Sequence, residues 1–293
     1  MIKIEQNIKR KPNWLKIKLN TSANYQDMKR LMKDNNLHTV CEEARCPNIY
    51  ECWNNKTATV MILGDTCTRA CGFCSVKTGK PLIQDIKEPK RVAKLVKTLG
   101  LRHVVITSVD RDDLKNDYGA IIWKNTIKEI RKLSPTCTIE VLTPDFQGYR
   151  PSLDEVFSAK PDIFSHNVEC VKRISKKVRT QSNWDRTLDV LKYSADNNML
   201  TKTGMMVGLG ETDEEVFSTM DEVKNAGVKI FNIGQYLQPT TNNLNVERYV
   251  APDMFEEYKK YGLSIGFSVV ESGPLVRSSY HADEQARQYA NVN

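Results

Sequence analysis

Short apolar runs rich in β-branched residues alternate with stretches of helical period along most of this chain. Residues 58–63, 103–108, 138–142, 163–167, 200–207 and 230–236 each read as a strand. Between them, residues 90–99, 121–133, 184–197 and 213–225 set apolar side chains three and four apart, the spacing of an amphipathic helix. The last of these follows Thr212, whose hydroxyl suits a helix N-cap, and brings Val216, Met220 and Val223 to one face. Asn225-Ala-Gly227 then supplies a stop. A helix over 252–261 and a final apolar run at 267–270 complete the pattern.

Strands alternating with helices imply parallel strands joined by right-handed crossovers. Six such units fall short of the eight that close a full barrel. The pattern therefore predicts an α/β fold, a partial (β/α)6 TIM-like barrel with N- and C-terminal extensions covering the open mouth. The expected divisions are 1–57 for the N-terminal extension, 58–272 for the barrel and 273–293 for the C-terminal extension. Chemistry in such folds gathers beyond the carboxyl ends of the strands.

Composition narrows the classes. Of 293 residues, 40% are hydrophobic and 27% charged, ordinary values for a globular protein. No apolar run approaches the roughly 20 residues of a membrane-spanning helix. The net charge of +7 is a mild excess, and no long basic block carries interleaved aromatics, so neither nucleic acid nor membrane is an expected partner. Lys9, Arg10 and Lys11 read as a solvated basic arm. The first 18 residues have no secretory pattern and too few serines for a transit peptide, which makes the cytoplasm the expected location.

The cysteines change the picture most. Six of the eight lie between Cys41 and Cys74, too closely spaced for a disulfide framework in a cytosolic chain. Cys137 and Cys170 stand apart and read as small buried hydrophobes. Cys67-Thr-Arg-Ala-Cys71-Gly-Phe-Cys74 follows the first strand, so one loop brings three thiolates to a single centre. Three thiolates fill three corners of a [4Fe–4S] cube and leave one iron open. Structural zinc takes four ligands, often as paired C-x2-C knuckles, and fits the spacing poorly. Cys41, Cys46 and Cys52 form a second set, spaced C-x4-C-x5-C. Two sets of three argue for two iron–sulfur clusters. His38, His103, His166 and His281 are too scattered to propose an acid–base pair.

The C-x3-C-x2-C loop, with Phe73 before its last cysteine, resembles the signature of the radical S-adenosylmethionine superfamily. In that superfamily the open iron chelates S-adenosylmethionine, and one electron splits the sulfonium into methionine and a 5′-deoxyadenosyl radical. Gly204-Met-Met206-Val-Gly208-Leu-Gly210-Glu211 is similar to the superfamily's G-x-I-x-G-x-x-E strand near the adenosine, with Met206 in place of Ile. The superfamily's Gly-Gly-Glu motif is missing; the second strand runs instead into Thr107-Ser-Val-Asp110-Arg-Asp112-Asp.

The order and spacing of both triplets resemble the lipoyl synthase family. So do Pro12-Asn-Trp14-Leu15, the 107–114 segment, Ser165-His-Asn167-Val-Glu169 and Arg277-Ser278-Ser279-Tyr280-His281-Ala282. The resemblance implies that Cys67, Cys71 and Cys74 hold the electron-donating cluster. It implies that Cys41, Cys46, Cys52 and Ser279 hold a second, sulfur-donating one. Phe73, Thr107, Asn167, Met206, Gly208 and Glu211 are then expected around S-adenosylmethionine, two molecules of which serve each turnover. The implied reaction inserts sulfur at C6 and C8 of an octanoyl-lysine on a lipoyl-carrier protein, either a lipoyl domain or a glycine-cleavage H protein. An external electron donor such as ferredoxin or flavodoxin, and an iron–sulfur assembly protein, are the other implied partners. On residues alone Ser279 reads as an ordinary polar residue, since such clusters prefer thiolate. Two alternatives are a biotin-synthase-like or methylthio-transferring relative and, from another class, a cysteine-rich zinc-binding module. The candidate lids over the mouth are residues 39–53 and 273–281, with Arg277 and Tyr280 placed to steady them.

Overall fold

The structure is a computed structural model that describes residues 11–16, 22–35, 37–43, 45–54 and 59–292. Its main sheet has eight strands in chain order: β1 (His38–Thr39), β2 (Thr59–Ile62), β3 (His103–Ser108), β4 (Thr138–Leu142), β5 (Ile163–Ser165), β6 (Thr201–Val207), β7 (Ile230–Gln235) and β8 (Val269–Gly273). From β2 to β8 every pair is parallel, and β1 adds an antiparallel edge. Among the described residues β1 and β8 do not pair, so the barrel stays open.

Three helices precede β2: α1 (Ala23–Asp34), α2 (Val40–Glu43) and α3 (Ile49–Asn54). The crossovers carry α4 (Glu88–Leu99), α5 (Ala120–Leu133), α6 (Arg150–Ser158), α7 (Lys172–Val178), α8 (Trp184–Asp196), α9 (Asp213–Asn225) and α10 (Pro252–Ser264), and α11 (Ala282–Val292) follows β8. Each crossover helix turns its apolar stripe onto the sheet. In α9, Thr212 and Glu215 form a reciprocal capping box, and Val216, Met220 and Val223 are buried. One core cluster centres on Trp53, Ile62, Val104 and Trp123, the other on Val207, Val216, Phe231 and Tyr258. Cys137 lies in the first and Cys170 in the second, as their isolation implied. None of the helices among the described residues is long and apolar enough to cross a membrane.

The six strands expected from the sequence are the middle of the sheet. The run at 267–270 extends it: Val269↔Ile230 through Gly273↔Gly234 makes a seventh parallel strand. Its last three residues, Glu271-Ser-Gly273, break the apolar run, so hydropathy alone shortens the strand. Helices α6 and α7 went unread because nine and seven residues give too few turns for a clear period. Residue 58 of the first expected strand, together with Lys9 and Arg10 of the basic arm, lies outside the described residues.

Candidate active site at the barrel mouth

A cavity of about 970 Å³ runs through the barrel, from the carboxyl ends of the parallel strands to the amino end of β3 at residues 99–103. All six clustered cysteines line it, together with Ser279, Phe73, Thr107, Asn167 and Met206. None of the eight cysteines is in a disulfide. The two triplets approach from different elements. Cys41 sits on α2 and Cys52 on α3, with Cys46 between them, whereas Cys67, Cys71 and Cys74 lie on the loop after β2. Cys41 feels the charges of Cys46 and Cys52, while Cys67 and Cys71 both feel that of Cys74, so each set is a local group.

Burial favours the protonated form of five of these thiols. It pushes Cys41 and Cys71 up to about 12 and Cys67 up to about 11. Cys46 and Cys74 are raised by burial as well. A metal centre taking these ligands therefore displaces protons.

Backbone contacts from across the mouth fasten the 67–74 loop. Gly72 N donates to Val178 O at 2.9 Å, Leu244 N to Gly72 O at 2.9 Å, and Asn243 Nδ2 to Cys74 O at 2.8 Å. At its centre Arg69, 7% exposed, binds three carboxylates. Its Nε and Nη2 reach Asp112 at 2.7 and 2.8 Å, its Nη2 also reaches Asp145 at 2.6 Å, and its Nη1 lies 3.2 Å from Asp110. Arg186 adds a second contact to Asp145 at 2.7 Å. Burial alone would raise Asp145, but these guanidiniums hold it well below the usual carboxylate range. Asp110 goes the other way, to about 6, because burial outweighs Arg69. Its amide also donates to Cys67 Sγ at 3.3 Å.

The C-terminal segment runs inward along the barrel, from Gly234 near the carboxyl end of β7 to Thr59 at the amino end of β2, where it reaches the second triplet. Gly234 permits this, since a Cβ there would stand 2.0 Å from Val276 O. Asn48 Nδ2 donates to Leu275 O at 2.7 Å, and Asn232 Nδ2 donates to Ser278 O at 3.0 Å. Ser279 Oγ accepts from Thr59 Oγ1 at 2.7 Å, and the Thr59 backbone also contacts Cys41. Tyr280 Oη donates to Glu51 at 3.1 Å, one residue before Cys52, and its ring stacks on His281 at 3.8 Å. Arg277 offsets part of the burial effect on Cys46. The two segments expected as lids thus contact one another, and both line the cavity.

Of the other expected residues, Thr107 spends its hydroxyl on Leu142 O at 3.0 Å, and Asn167 Nδ2 donates to Ser278 Oγ at 2.7 Å. Gly208 and Glu211 are not among the residues lining the cavity. Buried Glu211 instead accepts from the amides of Gly208 and Leu209 at 2.7 and 2.9 Å. Gly208 has φ 99°, and a Cβ there would lie 2.1 Å from Gln235 Nε2, so only glycine fits. The pair shapes the turn after β6 rather than the cavity wall. Asp110, Asp112, Asp145 and Glu51 escaped sequence reasoning, because nothing local distinguishes them from surface acids.

The cavity also presents buried polar atoms without partners: His166 Nε2, Asn167 Oδ1 and Asn232 Oδ1. Buried polar atoms are ordinarily satisfied, so these mark a wall built for a polar ligand. Among the described residues no three His, Cys, Asp or Glu side chains converge on a single ion. Each triplet supplies three soft sulfur donors, the donor chemistry that iron–sulfur centres take.

Burial pushes the His166 ring down to about 4 from 6.5, while its Nδ1 keeps Thr143 O at 2.9 Å. The unfolded chain thus takes up this proton first as pH falls. The stabilisation is complete above about pH 6.5 and is lost progressively toward pH 4, by about 3 kcal/mol at ~1.4 kcal/mol per unit. Urea unfolding at pH 7 and pH 4.5 should show a smaller acid loss in His166→Gln than in wild type; equal losses would refute the assignment.

Residues 61–223 match the model of the radical SAM superfamily. Residues 2–46 match that of the N-terminal domain of lipoyl synthase of the radical SAM family. The chain is 54% identical over 287 residues to lipoyl synthase of Shouchella clausii, covering 97% of this chain and 92% of that protein. It is 55% identical to lipoyl synthase of Rubrobacter xylanophilus, covering 94% and 86%. The fold is similar to that of Streptococcus suis SuiB bound to S-adenosylmethionine, with TM-score 0.60 at 13% identity, over 85% of this chain and 61% of that one. A TYW1 structure gives TM-score 0.53 at 13% identity over 83% and 90%. Fold and family matches define the class, an enzyme that uses a [4Fe–4S] cluster and S-adenosylmethionine for radical chemistry. Within that class, the chain belongs to the lipoyl synthase family.

Proposed function

We propose that this enzyme inserts two sulfur atoms, at C6 and C8, into an octanoyl-lysine carried on a lipoyl-carrier protein. The observation that carries this reading is the convergence of two thiol triplets and Ser279 on one cavity. Cys67, Cys71 and Cys74 are the ligands of the first cluster in this reading. Cys41, Cys46, Cys52 and Ser279 are those of an auxiliary cluster that gives up its sulfur. Bound together, the first cluster and S-adenosylmethionine supply the radical that removes hydrogen from unactivated C–H bonds, which side-chain acid–base chemistry cannot reach.

The chain's own residues position and seal. Phe73, Thr107, Asn167 and Met206 form the wall expected around S-adenosylmethionine, and Gly208 with Glu211 holds the turn that aims Met206. The segments 39–53 and 273–281 act as lids on the barrel, and Tyr280 on Glu51 ties one lid to the other. Two S-adenosylmethionine molecules serve the two hydrogens. An external ferredoxin- or flavodoxin-like donor supplies electrons, and an assembly protein rebuilds the auxiliary cluster. Eight cysteines with no disulfide among them support a cytoplasmic location.

Anaerobic incubation with an octanoylated lipoyl-domain peptide, S-adenosylmethionine and dithionite tests the reading by mass spectrometry. The expected product gains two sulfurs, with 5′-deoxyadenosine released alongside. Deoxyadenosine without any sulfur gain would discard it in favour of another radical reaction.

A further inference from the structure

Residues 82–86 carry the most exposed large apolar side chains among the described residues: Leu82 at 86%, Ile83 at 96% and Ile86 at 79%. The others, Trp14, Ile121, Tyr149 and Leu263, come singly and at about half that exposure. Scattered apolar residues need no explanation, but a contiguous group marks a contact surface. The segment is also held in place. Arg111 Nη2 donates to Leu82 O at 3.2 Å, Asp85 accepts from Lys87 N at 2.8 Å, and the buried Glu88 accepts from Leu63 N at 2.8 Å.

The surroundings are basic. Lys77, Lys80, Lys87 and Lys90 are exposed, and none forms an ion pair among the described residues. Asp85, the acid within the patch, is taken by Arg91 at 2.8 Å. The patch grows directly out of the first thiol loop. Lys77–Thr78 pairs in parallel with Thr66–Cys67, and Gly79 N donates to Cys67 O at 2.9 Å. Thr78 lines the cavity, whereas none of residues 79–87 does.

We propose that Leu82, Ile83 and Ile86, ringed by these lysines, dock an acidic, low-potential one-electron carrier protein. The proposal rests on the functional reading above and deepens it. The carrier gives up one electron and is oxidised by one unit, while the centre held by Cys67, Cys71 and Cys74 is reduced by one, and no bond is made or broken. Such a donor must come near the loop without entering the cavity, which is where the patch sits. A lipoyl carrier must instead thread its acyl-lysine into the mouth. Electron-transfer encounters are small and transient, so three apolar side chains with a charged rim suffice, and complementary charge raises the encounter rate.

The test uses reconstituted full-length protein with a bacterial flavodoxin in its hydroquinone state as the probe. Stopped-flow bleaching of the iron–sulfur absorbance is compared with bleaching by dithionite, which needs no docking surface. Two variants are made, Leu82→Ser/Ile83→Ser/Ile86→Ser and Lys80→Glu/Lys87→Glu. Flavodoxin-driven reduction is expected to fall about tenfold or more in both, with dithionite rates unchanged. Carbodiimide is expected to cross-link flavodoxin to Lys80 or Lys87, and added salt should slow the reaction with flavodoxin in wild type and in the serine variant, and much less in Lys80→Glu/Lys87→Glu. Equal losses with both reductants, or an unchanged flavodoxin rate, overturn the proposal. So does a loss confined to binding of the octanoylated lipoyl domain or of anionic vesicles. Wild-type protein that flavodoxin bleaches normally but that makes no sulfur-containing product would remove the functional reading and leave the docking surface standing.

Discussion

Exchanging Ser279 for Cys is expected to leave iron and sulfide content intact while cutting lipoyl formation about 100-fold. An alkoxide is a hard ligand, whereas a thiolate suits a sulfide-rich cube and holds it more firmly. The side chain is placed to matter: it lines the cavity with the second triplet and contacts Thr59, whose backbone reaches Cys41. If the fourth thiolate holds that corner by about 3 kcal/mol more, release of sulfur slows by about two orders of magnitude. The first triplet is untouched, so 5′-deoxyadenosine should continue to form. Measuring deoxyadenosine and lipoyl product in the same reaction separates the outcomes. A Ser279→Cys enzyme with full lipoyl yield would remove the idea of a labile corner, and loss of both products would indicate a general defect.

Replacing Arg69 with Met is the second large effect expected. The change leaves Asp110, Asp112 and Asp145 facing one another without the guanidinium that bridges them. Breaking a buried pair typically costs about 3–5 kcal/mol, much of it from the charge left uncompensated. Arg186 still reaches Asp145, so part of the network survives. The urea midpoint should drop, and iron retained by the first triplet should drop with it, because Arg69 lies inside the thiol loop. Arg69→Lys should recover little, since an ammonium cannot reproduce the two-point grip on Asp112. An unfolding free energy within about 0.5 kcal/mol of wild type would show the network to be dispensable.

The sheet was legible where β-branched runs were long. The spans expected at 103–108 and 138–142 agree with the observed strands end to end, and helix α9 announced itself through Thr212 and its apolar face. Two features were hidden for physical reasons. The Val269–Gly273 strand ends in polar residues and pairs with β7 only because the chain has already folded back. The Arg69 network joins residues 43 and 76 positions apart, a distance at which no local pattern operates. The thiol triplets could be read from spacing because each is confined to one short segment. Ser279 could not, because its partner Thr59 is 220 residues away; only resemblance to a family pointed to it. Glu51, which receives Tyr280, was hidden in the same way.

That long reach has a consequence for how the protein is made. While the ribosome is still extending the chain, the early cysteines are already outside, but the segment after β8 that carries Ser279 has not been synthesised. At that stage the nascent polypeptide presents Cys41, Cys46 and Cys52 without Ser279. If Ser279 is a ligand beside them, as proposed above, that donor set is complete only after every barrel strand has been made.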